Sequence, residues 1–231
     1  MRLLLLQHAA RKNSGHIVSF VNDRHIDVDV LKMWESPDME MPDATSYDGV
    51  IILGGTMNVH DDFSFLIKEV EFIRESIGRV PMLGLCLGAQ LIAYALGATI
   101  KEDFEQRQVG FDTIQLTDAG KQHPLFFRFP ENVKVLQWHG QTFDLPLGAD
   151  RLATSSACAN QAFAHGNAYG VQFHLEISPA LGREIYAEGR AWAVGHTGFS
   201  EERFLADLDS YELIIKAQCY QLFDNFLKII A

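Results

Sequence analysis

Four short apolar runs punctuate the first hundred residues of the chain: Arg2–Gln7, Asp27–Met33, Asp48–Leu53 and Val80–Leu85. Val50-Ile51-Ile52-Leu53 shows no polar alternation, the mark of a strand covered on both faces. The segments between the runs have room for helices, so parallel strands joined by crossovers are predicted. Phe63 to Ile77 is the expected crossover helix before the fourth strand. The middle of the chain differs. Thr113–Leu116, Val133–Gln137, Arg151–Ser155, Gln161–Ala164 and Ala168–Phe173 are short strand candidates in turn-rich surroundings, and predict an antiparallel section joined to the main sheet. From Ser178 onward the pattern is helical. Asp209 and Glu212 have the spacing of a capping box, while Cys219, Phe223, Phe226, Leu227 and Ile230 recur at helical intervals. That stripe suits core packing or a homodimer contact better than a cofactor site. The expected fold is therefore α/β: a doubly wound, mostly parallel central sheet with flanking helices, a small antiparallel section and a C-terminal helical extension. Residues 1–192 are expected to form the main domain, with 193–231 packed on it as the extension.

Charge and cysteine usage narrow the function classes. With 19 basic and 30 acidic residues among 231, the net charge of −11 argues against a nucleic-acid or anionic-membrane partner. The four leucines after Arg2 are too few for a signal-peptide core, and no later segment approaches a membrane span. Cys86, Cys158 and Cys219 are odd in number and lack any CxxC spacing, so neither a disulfide framework nor a zinc ribbon is indicated. A reducing, cytoplasmic setting is expected.

One cysteine has unusual neighbours. Val80–Leu85 reads as a strand, and Leu87, Leu91, Tyr94 and Ala95 fall on one helical stripe that ends before Gly97. Cys86 therefore sits at a strand-to-helix turn, with Gly84 and Gly88 leaving room for a tight backbone, as in a nucleophile elbow. Unpaired N–H groups at a helix start favour a thiolate there. Cys158 and Cys219 lack such surroundings and read as core residues.

A thiolate nucleophile needs a base and a group that orients the base. Val171–Ser178 alternates without a break, which in an extended strand puts His174 and Glu176 on one face. Glu176 would then accept from Nδ1 of His174 and leave Nε2 for the sulfur. The alternative is a half-exposed strand whose polar side happens to carry both residues. Upstream, Asp48–Leu53 ends at Gly54-Gly55, so Gly55 and Cys86 would both lie at carboxyl ends of parallel strands. There the N–H groups of Gly55 and Leu87 would converge on an oxyanion. A glycine pair is also an ordinary turn signal.

Gly84-Leu85-Cys86-Leu87-Gly88-Ala89-Gln90, with Gly54-Gly55 before it and His174-Leu175-Glu176 after it, resembles the class I glutamine amidotransferases, in particular free-standing proteins similar to the glutaminase domain of GMP synthase. The resemblance implies a glutaminase in which Cys86 attacks the side-chain amide of glutamine and the thioester is hydrolysed. His174 would carry the proton to ammonia, Glu176 would hold the imidazole, and Gly55 and Leu87 would form the oxyanion hole. It further implies substrate contacts from Gln90, from Gly54 and from His139-Gly140, although Gln90 could be an ordinary helix-surface amide and His139 a strand-end residue held locally. Leu175 stands where relatives commonly have proline, and Gln141 where an aspartate often follows His-Gly.

About fifty residues, helical in pattern, follow Glu176 without a synthase domain, so the ammonia is expected to pass to a separate synthase subunit. The alternative is a γ-glutamyl peptide hydrolase, because such peptides share the acyl group and differ in the leaving amine. A non-catalytic binding protein of the same fold would be expected to lack one of Cys86, His174 and Glu176, and all three are present. No cofactor is expected: the glycines do not follow a strand as GxGxxG, and His60-Asp61-Asp62 reads as a helix start rather than a metal site.

Overall fold

The computed structural model of the protein describes residues 1–12, 15–35, 40–102 and 107–231. Its strands are β1 (Arg2–Gln7), β2 (Asp27–Lys32), β3 (Gly49–Ile52), β4 (Met82–Leu85), β5 (Ile100–Glu102), β6 (Gln108–Leu116), β7 (Asn132–His139), β8 (Gln141–Phe143), β9 (Asp150–Thr154), β10 (Ala162–His165) and β11 (Ala168–Val171). The helices are α1 (Gly15–Asp23), α2 (Ser64–Ser76), α3 (Leu87–Ala95), α4 (Asp118–Gln122), α5 (Pro179–Val194), α6 (Glu201–Ser210) and α7 (Glu212–Ile230). Nine strands form one sheet in the order β2-β1-β3-β4-β11-β10-β9-β6-β7. The pairings from β2 through β11 are parallel, and those from β11 through β7 are antiparallel. β5 and β8 make a separate two-stranded antiparallel ribbon.

The sheet is covered on both sides, as the unbroken apolar runs require. Leu3 and Leu5 of β1 pack with Ile17 and Phe20 of α1 and with Phe223 and Phe226 of α7. Leu4 and Leu6 point the other way, among Phe65 and Ile73 of α2 and Leu91 and Ile92 of α3. The period of two thus divides one strand between two cores. The α7 stripe faces inward, with Cys219 and Phe226 fully buried.

Four local expectations are corrected. The strand expected over Ala168–Phe173, and its continuation to Ser178, ends at Val171; beyond it His174 makes only an isolated bridge to Leu136 of β7. β6 begins five residues earlier than Thr113, because Gln108 to Asp112 pair with β7. Asp209 lies inside α6 and accepts a hydrogen bond from Arg183 at 2.5 Å, so it forms no capping box with Glu212. Asp61 does not lead directly into α2, whose N-cap is Phe63; it closes a turn by accepting the Asn58 N–H at 2.8 Å.

Candidate active site

Cys86 joins β4 to α3 with φ 52° and ψ −107°, a left-handed conformation that L side chains seldom adopt. Its own N–H is taken by Val171 O at 2.8 Å, which ties the elbow to the end of β11. The flanking glycines are required by proximity. A Cβ on Gly84 would lie 2.4 Å from the Gly88 carbonyl, and one on Gly88 would lie 2.2 Å from Ile52 O. Strand and helix can approach this closely only without those side chains.

The histidine arrives from the other half of the chain. After Val171 the backbone leaves β10 and crosses to β7, where His174 N donates to Leu136 O at 2.8 Å. Its Nδ1 lies 2.6 Å from Glu176 Oε1, and Glu176 Oε2 accepts the Leu175 N–H at 3.1 Å. The main-chain carbonyl of Glu176 accepts the His16 N–H at 2.6 Å, so the start of α1 braces this segment. Gly54 lies between the halves: a Cβ there would sit 3.1 Å from His174 Cε1 and 3.5 Å from Cys86 Cβ.

Burial opposes charge on His174, yet the Glu176 carboxylate hydrogen-bonded to it, together with the neighbouring Cys86, holds its pKa well above the ordinary value of 6.5. For Glu176 burial likewise opposes charge, but the imidazolium and the donors around it hold the pKa below 4.5. The pair is thus an ion pair in a dry setting. His139 differs. Burial lowers its pKa to about 3, and its Nδ1 and Nε2 lie 3.0 Å from Gln141 O and from the Gln137 side-chain amide respectively. It is neutral, so its single N–H donates to Gln141 O from Nδ1, and its bare Nε2 can only accept from the Gln137 amide, whose nitrogen must then face the ring.

The remaining predicted residues line the same cavity as Cys86. Among the described residues, the N–H groups of Gly55 and Leu87 have no hydrogen-bond partner in the chain. Gly55 is closely packed, since a Cβ would lie 2.6 Å from Met57 Sδ and 2.8 Å from Leu87 Cδ2. Gln90, one turn into α3, is buried and donates to Gln141 O at 2.9 Å and to Gln172 Oε1 at 3.2 Å. Gln141 is turned aside, donating to Glu102 Oε1 at 2.6 Å. Cys86, Gly54, Gly55, Leu87, Gln90, His139, Gly140, His174 and Glu176 all line one cavity of about 440 Å³. No three His, Cys, Asp or Glu side chains among the described residues converge as a metal site.

Sequence reasoning missed the outer wall. Leu181, Ile185, Glu188 and Trp192 of α5, with Trp138 of β7, border the cavity, and Arg11 reaches across to pair with Glu188. The signal was present: 181, 185, 188 and 192 fall on one helical face. Because an amphipathic face ordinarily meets the core, nothing distinguished it as a cavity wall.

The family model described as glutamine amidotransferase class-I matches residues 9–191. The chain belongs to the class-I glutamine amidotransferases. Among curated amidotransferases, it is 29% identical to the glutamine amidotransferase-like protein YfeJ of Salmonella typhimurium over 185 residues, covering 77% of each chain. It is 37% identical to the GMP synthase of Bacillus velezensis over 132 residues, which is 56% of this chain and 24% of that protein. A solved glutamine amidotransferase from Thermotoga maritima superposes with a TM-score of 0.87 at 27% identity, covering 98% of both chains. This amidotransferase therefore matches free-standing relatives across most of their length and GMP synthases across about a quarter of theirs. Among the described residues no helix is long and apolar enough to cross a membrane.

Proposed function

We propose that this amidotransferase hydrolyses the side-chain amide of glutamine through a γ-glutamyl thioester on Cys86. The supporting observation is the strained elbow that presents Cys86 to the buried His174–Glu176 ion pair at one cavity. The sulfur attacks the amide carbon and the oxygen takes negative charge, met by the N–H groups of Gly55 and Leu87. His174 gives its proton to the departing nitrogen, the C–N bond breaks and ammonia leaves. Water, deprotonated by His174, then adds to the thioester; the C–S bond breaks and glutamate departs. Glu176 keeps the imidazole oriented throughout. A separate acceptor enzyme takes up the ammonia, in line with the glutamine-hydrolysing GMP synthases among the relatives.

A second reading has one specific observation in its favour. Trp138, Trp192 and Ile185 give the cavity an apolar wall that an ammonia-sized leaving group does not need. A γ-glutamyl peptide would use the same thioester and place its larger amine against that wall. The deciding measurement compares kcat/KM for glutamine with values for a panel of γ-glutamyl peptides. We expect glutamine to be the better substrate. A clear preference for the peptides would replace the first reading with the second.

A further inference from the structure

The sulfur has two polar neighbours that the mechanism above does not use: the Trp138 main-chain oxygen, 3.9 Å away, which can only accept from the thiol, and the side chain of Gln172. Gln172 is fully buried, and its Nε2 lies 3.7 Å from Cys86 Sγ. Which end of an amide faces a partner can be deduced from the groups around it. The main-chain oxygen of Gln141 only accepts, so the Gln90 atom 2.9 Å from it must be the nitrogen. The same nitrogen lies 3.2 Å from the Gln172 side chain, which must therefore present its oxygen to Gln90. The amide nitrogen of Gln172 is left facing the sulfur, and it can only donate. The main chain of Gln172 is held independently, its N–H donating to Gln161 O at 2.9 Å.

We propose that Gln172 is a catalytic residue whose side-chain amide donates to the Cys86 sulfur and stabilises its anionic form, with Gln90 fixing the direction of that amide. A donor hydrogen bond to a charged acceptor is stronger than one to a neutral acceptor, so it favours thiolate over thiol. The same contact serves twice. Before attack it helps the thiol proton move to His174, and when the thioester breaks it receives the charge returning to sulfur. On acylation the sulfur loses its charge and the contact weakens, so the stabilisation falls on the two states in which sulfur is anionic. Because it takes Cys86 as the nucleophile, this role rests on the function proposed above.

The test is the pH dependence of Cys86 alkylation by iodoacetamide, followed by peptide mass spectrometry in the full chain. His174 is the titratable side chain beside the sulfur, with Glu176 behind it, and the variants leave both in place. Gln172→Met keeps the volume and removes the donor. It is expected to move the alkylation profile to higher pH and slow alkylation below the midpoint roughly tenfold. Gln90→Met leaves Gln172 present but releases its oxygen, and should move the profile the same way by less. It also supplies the answer should Gln172→Met fail to fold. Unchanged profiles in the folded variants would overturn the role of Gln172. If Cys86 in the unmodified protein is not the cysteine that reacts fastest, the failure lies instead with the nucleophile assignment.

Discussion

Cys86→Ala is expected to abolish ammonia release from glutamine, with kcat falling by roughly 10⁴ to 10⁶, as when other covalent enzymes lose their nucleophile. That corresponds to about 5–8 kcal/mol of lost transition-state stabilisation. The fold should persist. Alanine removes one small buried atom, and its position in the left-handed region is no more strained than that of cysteine. Thermal unfolding should therefore shift by no more than about 1 kcal/mol. An enzyme-coupled ammonia assay beside circular dichroism separates the outcomes. Release at a comparable rate by folded Cys86→Ala would remove the cysteine from the mechanism.

Glu176→Gln should be nearly as damaging, with kcat reduced by roughly 10³ to 10⁴, the scale seen when a triad carboxylate is replaced by its amide. The reason lies in the balance on His174. Burial disfavours the imidazolium, and the Glu176 carboxylate, together with the neighbouring Cys86, outweighs it. Removing the carboxylate charge moves the titration of His174 to lower pH, which nuclear magnetic resonance of the imidazole reads directly. Stability follows by linkage. His174 has a raised pKa in the folded protein, so its contribution is full below about pH 6.5 and is lost as pH rises through the folded value. Glu176 has a lowered one, so its contribution is full above about pH 4.5 and is lost as pH falls through the folded value. The stability difference between wild type and Glu176→Gln should therefore be greatest between those two pH values and narrow on either side. An unchanged His174 titration, with full activity, would show that the carboxylate neither charges nor orients the ring.

The parallel half of the fold was legible because burial on both faces leaves a direct trace. β1 matches its apolar run without error, and β2 to β4 begin or end within two residues of theirs. The elbow was legible for a different reason: Gly84 and Gly88 are imposed by close backbone approach, and little else in a strand or helix calls for them. The alternation in Val171–Ser178 misled about conformation, although His174 and Glu176 do meet as it predicted. Alternation ordinarily separates a core face from a wet one, yet here Gln172, His174 and Glu176 are buried along with Phe173 and Leu175. Their polarity serves one another and the sulfur, so a continuous strand was inferred where a single bridge to Leu136 does the placing. β5 and β8, at three residues each, are too short to carry a period. The Gln90–Gln172 contact joins residues 82 positions apart, and no local pattern encodes it.

The central claim is that Cys86 carries the acyl group during turnover. The most direct measurement is acid quenching of the working enzyme within milliseconds of mixing with glutamine, followed by mass spectrometry of its peptides. A γ-glutamyl adduct on the peptide containing Cys86, absent in Cys86→Ala, is the predicted result. Sustained ammonia release with that peptide unmodified, or with the adduct on Cys158 or Cys219, would contradict it.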